Sequence, residues 1–151
     1  MAFKKGRKIL SLNYLFASFF GALMIASAYA YFNYKFAEYK FIDFGKWIFY
    51  EKKDIFKPVD KKYVVILFSS HQNDIKKILK RVKNKAKILA IDIYQKRFKS
   101  NDRVIYMTSG INTILSFIQR FNIYHIPSLL IIKKIKKNRY KQDSMIETMQ
   151  E

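Results

Sequence analysis

The sequence predicts an α/β domain carried behind a single apolar N-terminal helix. Three observations lead there. Ile9 to Phe32 is an unbroken run of 24 uncharged residues, preceded by Lys4, Lys5, Arg7 and Lys8. Beyond it, three short β-branched and aromatic runs (63–68, 88–93 and 129–132) read as strands buried on both faces. Between them, two segments place apolar residues at i, i+3, i+4 and i+7, the spacing of an amphipathic helix.

At ~1.5 Å per residue the uncharged run reaches about 36 Å, more than the ~30 Å of a bilayer's hydrocarbon. Four cations precede it, whereas only Lys35 and Lys40, offset by Glu38, follow it closely. That asymmetry keeps residues 1–8 cytoplasmic and makes 9–32 a single-pass signal-anchor in the inner membrane. The remaining chain is then exported, into the periplasm of a Gram-negative cell. A cleaved signal peptide is the rival reading, because Ala28-Tyr29-Ala30 and Ala26-Ser27-Ala28 both fit the small-x-small cleavage pattern. Against cleavage, the run exceeds the usual ~7–15-residue apolar region, and Tyr29, Tyr31, Phe32 and Tyr34 look like an interfacial aromatic belt. Both readings export the domain.

Ten aromatic residues lie between Tyr31 and Tyr50, including the only tryptophan, Trp47. They read either as core positions of the first folded elements or as a docking surface, in which Trp47 and Phe49 would touch a partner. Asp43 is placed to cap a helix over 44–53, with Phe44, Trp47 and Ile48 on one face. Tyr63–Phe68 is the first buried strand. Ile75, Ile78, Leu79 and Val82 mark the first amphipathic helix, capped by Asn73 or Asp74, with Lys76, Lys77, Lys80, Arg81 and Lys83 facing out. Ile88–Ile93 is a second strand, a charged loop follows to Asp102, and 104–107 adds a short strand. Ser109-Gly110 opens the second helix, marked by Ile111, Ile114, Leu115 and Ile118. Leu129–Ile132 is the third buried strand, and Lys136-Lys137-Asn138 turns it into an edge strand over 139–142. Residues 33–142 thus form one exported α/β domain with a largely parallel centre, and 143–151 a short C-terminal helix or tail.

Composition narrows the chemistry. The chain contains no cysteine, which excludes disulfides, thiolate metal sites and thiol nucleophiles. Formal net charge is +19, from 30 Lys+Arg against 11 Asp+Glu. Lysines outnumber arginines 24 to 6 and are spread along a chain also rich in Ile, Phe, Tyr and Asn. The codon bias of an AT-rich genome gives that combination; a surface for nucleic acid or anionic lipid is the alternative.

The order of helix, buried strand, helix, buried strand, helix, Ile126-Pro127-Ser128, strand and hairpin resembles the thioredoxin fold. The residues carrying the likeness are Phe121, Ile123, Ile126, Pro127, Ser128 and Leu129–Ile132, within a frame covering about 39–142. The resemblance implies a three-layer α/β domain and makes Pro127 the counterpart of the family's cis-proline; an ordinary trans proline at a strand entry is the alternative. The family's Cys-x-x-Cys belongs after the first buried strand, where this chain has Ser69-Ser70-His71-Gln72-Asn73-Asp74. No hydroxyl, imidazole or amide replaces a thiolate in disulfide exchange. His71 and His125 fall near the same corner. With Asp74 they read as surface or hydrogen-bonding groups rather than as a Zn²⁺ site, since their spacing matches no ligand motif.

The sequence therefore predicts no enzyme, no catalytic residues, no cofactor and no metal. Expected partners are the lipid bilayer through 9–32 and other envelope proteins of a larger complex, such as a flagellar motor or secretion apparatus. Pro127, Ile126, His71, Trp47 and Phe49 are the candidate contact residues. An accessory of a periplasmic redox or cytochrome-maturation pathway, or a polyanion binder, are the alternatives, with nucleic acid disfavoured.

Overall fold

The computed structural model describes residues 11–38 and 40–149, which fall into two compact units divided after Glu38. The Lys4–Lys8 cluster and the start of the predicted anchor lie outside the described residues. Helix α1 (Leu12–Glu38) makes up the first unit. Its window from Leu12 to Phe36 has a mean hydropathy of 1.6 and none of it is buried. By length and composition this helix could cross a bilayer. At 27 residues it is about 40 Å long and continues past the predicted Phe32. Lys35, which extends it, places Nζ 5.8 Å from the Tyr31 ring centre one turn back.

The second unit is a mixed α/β domain. Its strands are β1 (Phe41–Asp43), β2 (Tyr50–Glu51), β3 (Asp54–Ile55), β4 (Lys62–Phe68), β5 (Lys87–Asp92), β6 (Val104–Thr108), β7 (Ser128–Lys134), β8 (Arg139–Gln142) and β9 (Glu147–Thr148). Helix α2 (Ile75–Arg81) and helix α3 (Ile111–Arg120) complete it. The strands form one sheet in the order β1-β8-β7-β4-β5-β6-β2-β3, with β9 also on β7. β4, β5 and β6 run parallel and β7 lies antiparallel to β4.

Strand β4 explains the layering. Side chains alternate across a strand, so its unbroken apolar run must be covered from both sides. Val65 and Leu67 join Ile114 and Phe117 of α3, whereas Val64, Ile66 and Phe68 join Ile75 and Ile78 of α2. One helix thus covers each face. The Asp74 carboxylate caps α2 by accepting from Lys76 N at 3.0 Å. α3 has no side-chain cap at Gly110; Ser109 instead donates Oγ–H to the Ile48 carbonyl at 2.6 Å.

Two expected elements are replaced. The helix over 44–53 does not form: one turn closes from Trp47 N to Asp43 O at 2.8 Å, and the chain then becomes the β2–β3 hairpin. Gly45 weakens a helix there, and Asp43 Oδ1 accepts Gly45 N in a side-chain turn. The side chains that become buried are Phe44, Phe49 and Phe56, while Ile48 of the presumed helical face stays 42% exposed. Burial has overridden a short periodic pattern. No helix occurs among the described residues of 143–149 either. β9 extends the line of β8 along β7 after a bulge in which Ser144 Oγ accepts Ile131 N at 2.9 Å. β8 is flanked by β1 and is therefore not an edge strand.

Six residues, 44–49, join β1 at one end of the sheet order to β2 near the other. Even fully extended they reach only about 25 Å, whereas six inter-strand gaps of ~4.8 Å need about 29 Å in a flat sheet. The sheet curls to make this connection, around an aromatic cluster. The Phe44 ring lies 5.9 Å from Phe49, 5.5 Å from Phe56 and 5.5 Å from Tyr140, all edge-on. Tyr140 donates its hydroxyl to Asp60 O at 2.6 Å, and Tyr63 Oη accepts Val59 N and Asp60 N. Burial, reinforced by Tyr63 and Asp60, pushes the Tyr140 phenol well above its ordinary value, so it remains a donor.

Candidate functional site

The carboxyl ends of β4 and β5 and the start of β7 meet at one corner of the sheet. The register fixes this, with Phe68 opposite Asp92 and Leu67 opposite Ser128. Three loops converge there: 69–74, 93–97 and 122–127. Open α/β sheets commonly bind ligands at such carboxyl ends.

Asp92 organises the corner. It is only 2% exposed, and its carboxylate accepts Ser70 N at 2.9 Å, Tyr94 N at 3.1 Å and Lys96 N at 2.9 Å. One buried charge therefore joins the loop after β4 to the loop after β5. Ile93 N adds a bond to Phe68 O at 3.0 Å. The sequence pattern ended a strand at this point without revealing the role. An acidic residue closing a strand otherwise buried on both faces was the available signal, because a buried carboxylate demands partners. Asp92→Ala should strip the acceptor from three backbone N–H groups and lower stability by about 3 kcal/mol, read as a shift of the denaturation midpoint. A loss below about 1 kcal/mol would show that the loops hold without it.

Beside Asp92, the exposed His71 ring stacks on Tyr94 at 3.8 Å and 18°. Ser69 and Ser70 lie in the first of these loops. Both hydroxyl oxygens are buried without a protein hydrogen-bond partner, and neither is paired with a histidine or carboxylate base. A nucleophilic hydroxyl needs such a base. On the third loop the Ile126–Pro127 peptide bond is cis and Pro127 is buried, with Ile126 packed against the core. Ser128 Oγ–H bonds the His125 carbonyl, and Met149 N donates to Pro127 O at 2.9 Å. Tyr124, just before His125, projects its ring into solvent at 83% exposure.

Of the five candidate contact residues, His71, Ile126 and Pro127 belong to this corner; Trp47 and Phe49 do not. Trp47 lies half-buried beside α3, under the Arg120 guanidinium at 5.0 Å, and borders a shallow cavity with Asn112, Thr113 and Ser116. Phe49 is 1% exposed and packs against Phe44 and Phe117. That burial corrects its assignment as a contact residue and makes it part of the core. Tyr94 and Tyr124 are exposed aromatics at this corner that the sequence reading did not single out, since spacing alone does not tell a loop tyrosine from a buried one. Among the described residues no three His, Asp or Glu side chains gather into a metal-binding group. No protein-family model, no curated protein and no solved structure matches this chain.

Proposed function

We propose that the chain is a non-catalytic, thioredoxin-like protein-binding module, anchored by α1 in the inner membrane with its domain in the periplasm. It would serve as a subunit of a larger envelope complex, a flagellar motor or secretion apparatus being suitable hosts. The observation that carries this reading is the corner itself. Three loops, two of them joined by Asp92, present His71, Tyr94 and Tyr124 outward, at the place where the resemblance puts thiol chemistry and this chain has serines. A rigid base with exposed aromatic rings suits a protein surface, because rings bury large area at little cost in side-chain freedom. Exposed lysines would contribute mainly to encounter, since salt screens them.

The test is purification of the full chain with its partner from solubilised membranes. The complex should persist as salt rises from about 0.1 to 1 M, where the Debye length falls from ~10 to ~3 Å. Tyr124→Ala should weaken it about tenfold with the domain's melting temperature unchanged. Dissociation by salt alone, together with an unaffected Tyr124→Ala complex, would replace this reading with an electrostatic one.

A further inference from the structure

A second, chemically different site lies between the β2–β3 hairpin and the loop joining β5 to β6. It uses none of Ser69, Ser70, His71 or Tyr124. Lys52 and Lys53 from the hairpin tip, and Lys96 and Arg97 from the loop, line a cavity of about 210 Å³. No carboxylate lines it, and none of the four cations is in an ion pair among the described residues. With 30 Lys+Arg in 151 residues, a lining of seven would hold one or two cations by composition alone. It holds four.

The backbone is bent to bring them together. Lys52 and Lys53 form the two-residue loop of the hairpin, where glycine, asparagine or aspartate is the usual choice. Lys52 nevertheless holds a left-handed φ of 57°, and Gln95, immediately before Lys96, holds 55°. Side chains ordinarily avoid this region, and residues forced into it gather at functional sites. The Asp92 carboxylate accepts Lys96 N from inside, fixing the loop while the Lys96 side chain lines the cleft.

The remaining wall is aromatic and hydroxylic. Phe98 stacks on Tyr106 at 5.0 Å and 28°, Lys96 Nζ stands 5.6 Å from the Phe98 ring centre, and Thr108 adds a hydroxyl. Burial raises the Tyr106 phenol above its ordinary value, so it stays protonated at neutral pH. The geometry points to a binding site for a phosphoryl group bearing a small substituent. A phosphate ester brings up to two negative charges and several acceptor oxygens, matching separate lysine donors and a forked arginine. The cavity is smaller than the ~300–1,000 Å³ of sites for drug-sized ligands, which favours a compact phosphoryl headgroup over a nucleotide. Such a group reaches an exported domain either on a lipid or as a soluble ester.

The experiment uses the full chain in phosphatidylcholine nanodiscs, titrated calorimetrically with inorganic phosphate, glycerol 3-phosphate and dihexanoyl-phosphatidylglycerol. At least one probe should bind saturably at one site per chain. Lys53→Gln with Arg97→Gln should weaken it about tenfold or more, whereas Lys76→Gln with Lys77→Gln, removing equal charge from α2, should not. Tighter binding of the soluble monoester assigns the site to a free phosphate ester, and tighter binding of the phosphodiester assigns it to a lipid headgroup. No saturable binding of any probe, or equal weakening by both double variants, would overturn the proposal. Melting curves of both double variants confirm that each comparison is made between folded proteins.

Discussion

Replacing Phe49 with alanine should cost the domain about 3–5 kcal/mol, the usual range for truncating a buried phenylalanine. Its ring is 1% exposed and links the 44–56 segment to α3, edge-on to Phe44 at 5.9 Å and to Phe117 at 6.2 Å. The cavity left behind has little chance to collapse, because the curled sheet packs rings on several sides of it. For a domain of about 110 residues, each kcal/mol lowers the melting temperature by roughly 4–8 °C. The full chain in detergent should therefore melt on the order of 20 °C lower, close to unfolding at 37 °C. Trp47→Ala, at a half-buried site, should lower it far less. Near-equal melting of wild type and Phe49→Ala would contradict the core assignment.

The second large effect concerns α1. Gly21→Arg together with Met24→Arg should remove the chain from the membrane. A Cβ at Gly21 meets no atom within 4 Å, and Met24 is 73% exposed, so neither change disturbs packing within the helix. Each arginine near mid-span adds about 2.5–3.5 kcal/mol to insertion on the biological scale, together a shift of more than about a thousandfold. Wild-type protein should stay in the membrane pellet after alkaline carbonate extraction, and the double variant should not. Retention of the double variant in the pellet would show that α1 is not the anchor. Release of wild type as a shortened chain would make it a cleaved signal.

The elements legible in the sequence are those whose burial demand is local. β4, β5 and β7 carry unbroken apolar runs, and α2 and α3 carry four apolar positions at helical spacing, so their positions agree with expectation to within a few residues. The 44–55 segment was not legible, because Phe44, Trp47 and Ile48 imitate a helical face. Its geometry is instead decided by contacts remote in sequence, including Phe44 N to Asn138 O at 2.9 Å. β9 has no apolar alternation of its own; the exposed backbone of β7 specifies it. The corner was legible in part. A turn after β4 and Ile126-Pro127-Ser128 before β7 located it, with His71 and His125 at its edge. Its organiser was not legible, since nothing in the spacing of Asp92 says that three amides will converge on its carboxylate. The basic cleft was equally hidden, because Lys52 and Arg97 are 45 residues apart in an evenly basic chain.

The proposed role stands on the corner as a protein-binding surface, and site-specific photocrosslinking tests that most directly. Benzoylphenylalanine placed at Tyr124, 83% exposed at the corner, is compared with the same residue at Val59, 76% exposed near the opposite, amino end of β4. In intact cells the account predicts one discrete adduct from Tyr124, still formed in membranes washed at about 0.5 M salt, and none from Val59. No adduct from Tyr124, or the same set of adducts from both positions, would contradict it.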